Sequence, residues 1–315
     1  MSSAAIPAIA AADWGTTRLR VWLLDRTGNV LAERRSDEGL LAAQPDRFAE
    51  ILERQLADMG APPTLPTILC GMVGSRQGWV EAPYTTVPVS LADIFGAAVR
   101  VAGTARDIRI VPGLAQRDPS APDVMRGEET QLAGAVATLG SGRHLVCMPG
   151  THSKWVELAD GAVKAFQTFM TGELFSVLST QSILRHSIGR DAKVAAGSTA
   201  FETWCANALA APGPVETSLF RIRAATLLQG LQPADAAAAL SGMLIGAEIS
   251  AAKARFLTQG GSVVLIASGS MSDLYQTALG LAGFDVMVAD ADDAVRAGLT
   301  EAARHLGMMG SKDVA

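Results

Sequence analysis

The chain has 315 residues, of which 49% are hydrophobic and 18% are charged, and its formal net charge is −5. This composition is typical of a compact folded protein and excludes an intrinsically disordered chain. Because a single hydrophobic core stops growing at roughly 250–300 residues, two domains are expected. The acidic balance argues against a nucleic-acid-binding or anionic-membrane surface.

The first 60 residues predict three strands followed by a helix. Residues 9–13 form an apolar run, residues 18–25 alternate apolar with polar side chains, and residues 30–36 form a third extended stretch. Residues 46–60 place apolar side chains at helical spacing and close with a glycine. The predicted order is therefore βββα.

The rest of the first half adds two strands and a helix, which we predict at residues 67–75, 108–114 and 127–139. After a loop at 140–143, a second βββ segment begins and leads at residue 172 into a mostly helical, alanine-rich region that runs to about residue 250. The chain then predicts a strand that leads into a Gly-Ser turn at residues 262–270, followed by a helix at 272–282, a strand at 285–290 and a final helix at 293–307.

The order βββαβα recurs in each half, which predicts an α/β protein built from two duplicated domains. We place these domains at residues 1–140 and 141–315, the second with a helical insertion. Cys70, Cys147 and Cys205 are odd in number and widely spaced, as in reduced cytoplasmic proteins. No histidine spacing suggests a dedicated metal site, and no apolar run appears long enough to cross a bilayer.

A Gly-Thr turn between two strands occurs twice, as Gly15-Thr16-Thr17 and as Gly150-Thr151-His152. Such a turn presents consecutive backbone N–H groups and hydroxyls to one point, which favours an anion. One copy is a common hairpin. Two copies in register, each near the start of one half, favour a polyphosphate that is gripped from both sides.

Only the first copy brings a carboxylate, because the residue two before the glycine is Asp13 there and Met148 in the second copy. A triphosphate carries Mg²⁺, which is held by one or two carboxylates, phosphate oxygens and water. Asp13 is therefore the candidate metal ligand. The alternative is an acid that only caps the strand turn.

Two adjacent acids, Glu128 and Glu129, follow Gly127 at the predicted start of a helix. Glu128 lies 23 positions before Thr151 (151 − 128 = 23), so a helix and a strand could bring it to the second Gly-Thr turn, where it could accept a proton from an attacking hydroxyl. The alternative is that the acids only stabilise the helix dipole, and for Glu129 this alternative is favoured. Arg126, beside them, could bind a carboxylate or a phosphate in paired hydrogen bonds.

Two further loops are candidates for ligand contacts. The strand predicted at 67–75 runs into the glycines of the segment 71–79, which then offers Ser75 and Trp79. This segment suits either a sugar-contact loop or an ordinary turn with a packed tryptophan. Near the second half's last strands, Gly269 would let the backbone approach a nucleoside closely.

Together the motifs resemble those of the 2-dehydro-3-deoxygalactonokinases, sugar-acid kinases of the actin/hexokinase-like ATPase superfamily. The motifs that carry the resemblance are, in chain order, DWGTTRLR, GMVGS, APY, VMRGEETQL, MPGTHSKWV, MTGEL and SGMLIGAE. The resemblance implies two RNase H-like domains that flank a nucleotide cleft with ATP and Mg²⁺. It also implies transfer of the γ-phosphoryl group to the 6-hydroxyl of 2-dehydro-3-deoxy-D-galactonate.

The resemblance assigns roles by motif. Asp13 through Thr17 would form the first phosphate loop, with Asp13 facing the metal, and Gly150 through His152 would form the second. Gly269 and Ser270 would approach the nucleoside, and Glu128 would be the base, with Glu129 as the alternative. The residues expected to contact the sugar acid are Met72, Ser75, Trp79, Arg126 and Lys154.

Three other functions are weighed against this one. A kinase for 2-dehydro-3-deoxygluconate or for an unmodified sugar would use the same machinery. A nucleotide-binding regulator of the same superfamily would phosphorylate nothing. A dinucleotide-dependent oxidoreductase is disfavoured because no GxGxxG follows the first strand. We predict a cytoplasmic enzyme that binds only small molecules, and its oligomeric state is left open between a monomer and a homo-oligomer.

Overall fold

The computed structural model describes residues 6–44, 46–136, 139, 141–189, 194–211, 213, 215–256 and 261–310. The chain divides into two compact units. The first unit contains residues 1–142, 159–165 and 291–315, and the second contains residues 143–158 and 166–290. Residue 140, at the predicted boundary, lies outside the described residues, so that boundary stays a prediction.

The strands and helices of the described residues are numbered in chain order. The strands are β1 (Ile9–Trp14), β2 (Leu19–Leu24), β3 (Val30–Ser36), β4 (Thr67–Gly71), β5 (Thr85–Thr86), β6 (Val89–Ser90), β7 (Val99–Arg100), β8 (Ile108–Ile110), β9 (Leu114–Gln116), β10 (Asp123–Met125), β11 (Arg143–Met148), β12 (Ser153–Ala159), β13 (Ala162–Phe169), β14 (Ser262–Ile266) and β15 (Asp285–Ala289). The helices are α1 (Leu40–Ala43), α2 (Phe48–Asp58), α3 (Leu91–Gly96), α4 (Glu128–Val136), α5 (Thr171–Gln181), α6 (Thr199–Ala210), α7 (Val215–Gln229), α8 (Pro233–Phe256), α9 (Gly269–Leu281) and α10 (Ala291–His305). Short 3₁₀ turns follow β4 and α5, at Met72–Gly74 and Ile183–His186.

The first unit is built on a sheet of order β3-β2-β1-β4-β8-β7. The strands β1, β2 and β3 are antiparallel, whereas β4 and β8 run parallel to β1 and to each other. Strand β1 is almost wholly apolar because it lies in the centre of this sheet and is buried on both faces. Residues 159–165 are grouped with this unit, where Ala162 and Val163 pair with β6.

The second unit repeats the arrangement. Its strands follow the order β13-β12-β11-β14-β15, which matches β3-β2-β1-β4-β8 strand for strand. The strands β14 and β15 again run parallel to the central strand and to each other. The predicted α/β duplication is therefore confirmed.

Helix α8 fills the core of the second unit. It is apolar on all sides because most of it is buried, and its two glycines let it approach helix α6 closely. A Cβ on Gly242 would lie 2.3 Å from the Phe201 carbonyl oxygen, and one on Gly246 would lie 2.7 Å from that of Cys205. By length and composition α8 could cross a membrane, contrary to the expectation from sequence. However, 72% of its apolar 18-residue stretch is buried inside the fold.

Most other predicted elements are confirmed, and two predictions were wrong. The segment 108–114 was predicted as one strand, but it is split between β8 and β9, which belong to different sheets. Pro112 and Gly113 separate them, since proline cannot donate to a strand ladder. The predicted strand 67–75 ends at Gly71, whose φ of 87° suits a glycine.

Candidate active site

The first Gly-Thr loop joins β1 to β2 in the first unit. The Gly15 N–H donates to the Arg18 carbonyl at 2.8 Å, which closes the hairpin. The side chains of Thr16, Thr17 and Arg18 are exposed. The loop therefore presents two hydroxyls and a cation to solvent. It borders a cavity of about 460 Å³, lined by Asp13, Gly15, Arg18, Leu19, Arg20, Arg35, Ser36 and Asp37.

Asp13 is held by an arginine on the neighbouring strand. Asp13 and Arg20 are direct partners in the antiparallel register of β1 and β2, and the Arg20 Nη2 lies 2.5 Å from the Asp13 Oδ2. Arg20 also forms an ion pair with Asp292, in the first turn of α10. The other Asp13 oxygen, Oδ1, lies 3.8 Å from the Cys70 Sγ. Arg20 therefore orients the carboxylate without enclosing both of its oxygens.

Three separate motifs meet beside Asp13. A Cβ added to Gly71, in the GMVGS motif, would lie 3.1 Å from the Asp13 Oδ1 and 2.7 Å from the Trp14 carbonyl oxygen. A Cβ added to Gly127, just before α4, would lie 3.5 Å from the Gly71 Cα. The structure thus brings the first loop, the end of β4 and the start of α4 together within one unit.

The two candidate acids at the start of α4 occupy different environments. Glu128 is partly exposed, and its Oε2 accepts a hydrogen bond from the Arg126 backbone N–H at 3.0 Å. Glu129 is fully buried, where its Oε2 accepts from the Gly127 N–H at 2.7 Å and its Oε1 accepts from the Thr130 hydroxyl at 3.0 Å. Burial, reinforced by the Glu128 charge, raises the pKa of Glu129 to about 8.

The predicted sugar-contact residues of the GMVGS segment lie in and after the 3₁₀ turn that follows β4. Met72, Ser75 and Trp79 are all partly buried. The Trp79 ring stacks on Phe48, with 6.3 Å between ring centroids and 9° between planes. Trp79 is therefore fixed by the core of the first unit, and its contact with a substrate stays a prediction.

The second Gly-Thr loop is supported by the start of α5, in the second unit. A Cβ on Gly172 would lie 2.5 Å from the Gly150 carbonyl oxygen, so only glycine fits there. The Glu173 N–H donates to the Thr151 carbonyl at 3.0 Å. The Glu173 carboxylate also lies 2.5 Å from the His152 Nε2. Thr151 and His152 are exposed on this loop.

Lys154 lies behind the second loop rather than on its surface. Its side chain is buried, and its Nζ donates to the His152 carbonyl at 3.2 Å. In this arrangement the lysine supports the loop backbone. Its predicted contact with the sugar acid stays a prediction.

A largely apolar cavity of about 590 Å³ lies in the second unit. Gly269 begins α9 with a φ of 59°, and Ser270 after it lines the cavity. Gly172 connects the two features, since it also lines the cavity while it touches Gly150. The other lining residues are Thr171, Phe175, Val194, Ser241, Leu244, Ile245, Met271, Leu274 and Tyr275.

A buried glutamate lies under this cavity. Glu248, on α8, accepts hydrogen bonds from the Trp155 Nε1 at 2.8 Å, from the Tyr275 hydroxyl at 2.8 Å and from the Thr171 hydroxyl. Burial raises the pKa of this carboxyl, and the hydrogen bonds oppose that rise. Glu248 therefore ties together β12, α9 and the start of α5.

Comparison with known proteins assigns the family. The sequence matches the 2-keto-3-deoxy-galactonokinase family over residues 13–302. A relative from Rhizobium meliloti (strain 1021), named a probable 2-dehydro-3-deoxygalactonokinase, is 53% identical over 297 residues, which are 94% of this chain and 97% of the relative. The 2-dehydro-3-deoxygalactonokinase of Escherichia coli (strain K12) is 34% identical over 289 residues, which are 92% of this chain and 95% of that protein.

The chain belongs to the 2-keto-3-deoxy-galactonokinase family. A crystal structure of a candidate 2-dehydro-3-deoxygalactonokinase from Sinorhizobium meliloti is similar to this chain with a TM-score of 0.92 and 52% identity, over 95% of this chain and 99% of that chain. The resemblance found in the sequence and the RNase H-like fold it implied are thus confirmed.

Several site residues were missed by sequence reasoning. Arg20 could have been found, because a hairpin closed at Gly15 and Arg18 places Asp13 opposite Arg20. Glu173 and Glu248 stand in the motifs MTGEL and SGMLIGAE, but their partners are 21 and 93 residues away in the chain. No local pattern predicts such distant partners.

Proposed function

We propose that the protein is an ATP-dependent kinase that transfers the γ-phosphoryl group to the 6-hydroxyl of 2-dehydro-3-deoxy-D-galactonate, giving the 6-phosphate and ADP. The observation that carries this proposal is the near full-length match to relatives that bear this activity in their names. The two Gly-Thr loops on a duplicated fold supply the matching chemistry, because phosphoryl transfer depends on positioning and charge stabilisation.

Glu128 is the proposed base. It begins a helix near Asp13, it is partly exposed, and the Arg126 backbone orients its carboxylate. Glu129 is a poorer candidate because a fully buried carboxyl with a pKa near 8 neither reaches a substrate nor stays ionised at pH 7. The loose transition state of phosphoryl transfer needs only a weak base, so orientation of the hydroxyl is part of this role.

Asp13 is the proposed Mg²⁺ ligand. It would supply one carboxylate beside the first Gly-Thr loop, and no group of three or more metal-ligating side chains is found among the described residues. That donor set suits Mg²⁺, which keeps several waters and shares phosphate oxygens. When bound, the ion would neutralise charge on the phosphates.

The nucleotide contacts are proposed for both units. Gly15, Thr16 and Thr17 would bind phosphate oxygens through N–H and hydroxyl groups, as would Gly150, Thr151 and His152. The cavity beside Gly269 and Ser270 is large and apolar enough for a nucleoside. Its connection to Gly150 through Gly172 supports this assignment.

The proposed setting is the cytoplasmic breakdown of galactonate. The three cysteines are buried and unpaired, as expected for a protein of a reducing compartment.

The test is ADP release from ATP and Mg²⁺ with a panel of acceptors: the proposed keto acid, its C4 epimer 2-dehydro-3-deoxygluconate, and neutral hexoses. The proposed acid should give the highest kcat/KM. The control is Asp13→Asn, which removes the charge but keeps the shape. This variant should lose turnover while its melting temperature stays close to that of the wild type. ATP binding without phosphorylation of any acceptor would instead indicate a regulator.

A further inference from the structure

The Arg126 guanidinium lies in a cradle within the first unit that no part of the phosphoryl-transfer machinery explains. Its Nη2 donates to the Ala82 carbonyl at 2.9 Å. Its Cζ lies 4.4 Å from the centroid of the Tyr84 ring, close enough for a cation–π contact. Ala82 and Tyr84 are the first and last residues of the APY motif, which therefore holds this arginine.

Two glycines make room for the cradle. A Cβ on Gly74, in the GMVGS motif, would lie 2.9 Å from the Arg126 Nη1. A Cβ on Gly113 would lie 2.8 Å from the Cε1 of Tyr84 and 2.4 Å from the Met125 carbonyl oxygen. The arginine and its aromatic partner are thus packed against backbone, which fixes the plane of the guanidinium.

Most of the hydrogen-bonding capacity of this arginine is unused. Its Nε and Nη1 are buried and have no hydrogen-bond partner among the residues that the structure describes. The Ser75 hydroxyl, which directly follows Gly74, is buried and unpartnered in the same sense. A buried charged donor without an acceptor is strongly unfavourable. Such a group is expected where a ligand brings the acceptor.

A carboxylate fits the unused donors best. Its two coplanar oxygens can accept from one of these donors and from the second N–H of Nη2, which together form one edge of the planar guanidinium, in paired, charge-assisted hydrogen bonds. A phosphate dianion fits less well. The Glu128 carboxylate accepts a hydrogen bond from the backbone N–H of the same arginine, and it repels a dianion more strongly than it repels a carboxylate with a single charge. Water does not reach Nε or Nη1, so neighbouring side chains must shift when the ligand enters.

We infer that Arg126 is the receptor for the carboxylate of the sugar acid and that Tyr84 is the positioning residue that makes the site select acids over neutral sugars. This inference rests on the proposed function and specifies its substrate site. Arg126 then serves both ends of the substrate, since its side chain binds the carboxylate and its backbone N–H orients Glu128.

The experiment compares Arg126→Lys, Tyr84→Leu and Tyr84→Phe with the wild type, on the keto acid and on its neutral C1 amide. Lysine keeps the charge but loses the planar fork, so KM for the acid should rise roughly ten- to hundredfold. Tyr84→Leu should raise it roughly three- to tenfold, and Tyr84→Phe, which keeps the ring, should restore most of that loss. KM for ATP and for the amide should change less than twofold.

Arg100→Lys is the matched control, because Arg100 is an exposed arginine of the same unit that pairs only weakly with Asp107 at 3.4 Å. It should leave all constants unchanged. The inference is overturned if KM for the acid and KM for the amide rise equally. It is also overturned if KM for ATP rises instead, which would put Arg126 at the phosphates. In both cases the proposed function would stand.

Failure of the proposed function has a different outcome. If the wild type does not phosphorylate the keto acid, the site is tested by calorimetry with D-galactonate and with the neutral galactitol. Binding of galactonate that Arg126→Lys weakens at least tenfold would support the carboxylate site. Equal binding of both probes, or of neither, would overturn it.

Discussion

Adjacent residues can differ completely in chemistry, as Glu128 and Glu129 do at the start of α4. At this helix start Glu128 is partly exposed, whereas Glu129 is fully buried. The exposed acid accepts a backbone hydrogen bond and can reach a ligand, whereas the buried acid is locked by Gly127 and Thr130. Neutralising each in turn therefore tests two different properties.

The first property is catalysis. Glu128→Gln should lower kcat by about 10²–10⁴-fold with nearly unchanged ATP affinity, and the low end is expected for a loose transition state. Glu129→Gln should change kcat much less. Steady-state kinetics of both purified variants would decide, and a Glu129→Gln enzyme with the larger loss would reverse the assignment.

The second property is stability against pH. The pKa of Glu129 is raised in the folded state, so the unfolded chain releases this proton at a lower pH than the folded chain does. The stability that this carboxyl contributes is complete below about pH 4.5 and is lost as the pH rises toward 8, at roughly 1.4 kcal/mol per pH unit. Urea unfolding at pH 5, 6.5 and 8 should show that the free energy of unfolding of Glu129→Gln increases relative to that of the wild type at each step. Parallel pH profiles would contradict the burial argument.

At this scale, sequence reasoning could single out candidate residues only where the signal was local, and their roles stay predictions. Asp13 and the two Gly-Thr turns stand out because their residues are consecutive. Tyr84 was missed because nothing in the sequence shows that it lies over a side chain 42 residues later. Gly39 was missed for the same reason, although its Cβ would collide with the Thr17 backbone at 2.4 Å.

At the scale of elements, Glu248 joins three of them through one buried carboxylate. Glu248→Leu would leave the donors of Trp155 and Thr171 buried without an acceptor, at a cost of about 1–3 kcal/mol for each group left unsatisfied, whereas the Tyr275 hydroxyl keeps Ser153 as a partner at 3.1 Å. We expect thermal unfolding to show a fall in melting temperature of several degrees. Tyr275→Phe removes one donor together with its need for an acceptor, so it should cost much less. Equal losses in the two variants would argue against a shared network.

Helices α4 and α10 cross at reciprocal glycines within the first unit. A Cβ on Gly298 would lie 1.9 Å from the Thr130 carbonyl oxygen, and one on Gly134 would lie 1.9 Å from that of Ala294. Gly298→Ala should therefore destabilise the protein by about 1–3 kcal/mol or more through overpacking. Gly280→Ala is the control, because that helical glycine has open space around it and alanine favours helix by up to ~1 kcal/mol. A chemical denaturation curve for each variant gives the comparison, and a neutral Gly298→Ala would show that the helices can separate freely.

The elements themselves were mostly predictable, because periodicity in the sequence reports burial directly. Failures occurred where a short element depends on a distant partner. The four-residue helix α1 has no periodicity of its own and is held by backbone bonds from Leu40 and Leu41 to the carbonyls of Gly15 and Thr16. The split between β8 and β9 depends on a second sheet that no local pattern indicates.

Considered as a whole, the molecule repeats more than the two loops that the sequence revealed. In each unit a glycine three positions after the third strand packs against the Gly-Thr loop, since Gly39 follows Ser36 (39 − 36 = 3) and Gly172 follows Phe169 (172 − 169 = 3). The duplication thus includes the support of each Gly-Thr loop. Sequence reasoning missed this part of the duplication because the shared feature is a close approach of two backbones. Its only trace in the sequence is a single glycine in each unit.

The crossing of α4 and α10 also fixes the order in which the molecule can be completed during synthesis. Helix α10 buries Val295 and Leu299 in the first unit, but it is made only after the whole of the second unit. Because synthesis adds about 5–20 residues per second, the surface of β1, β4 and α4 that α10 contacts stays uncovered for on the order of ten seconds. The second unit is made within that interval, whereas the unit that carries Asp13 and Glu128 keeps this apolar surface uncovered until α10 has left the ribosome.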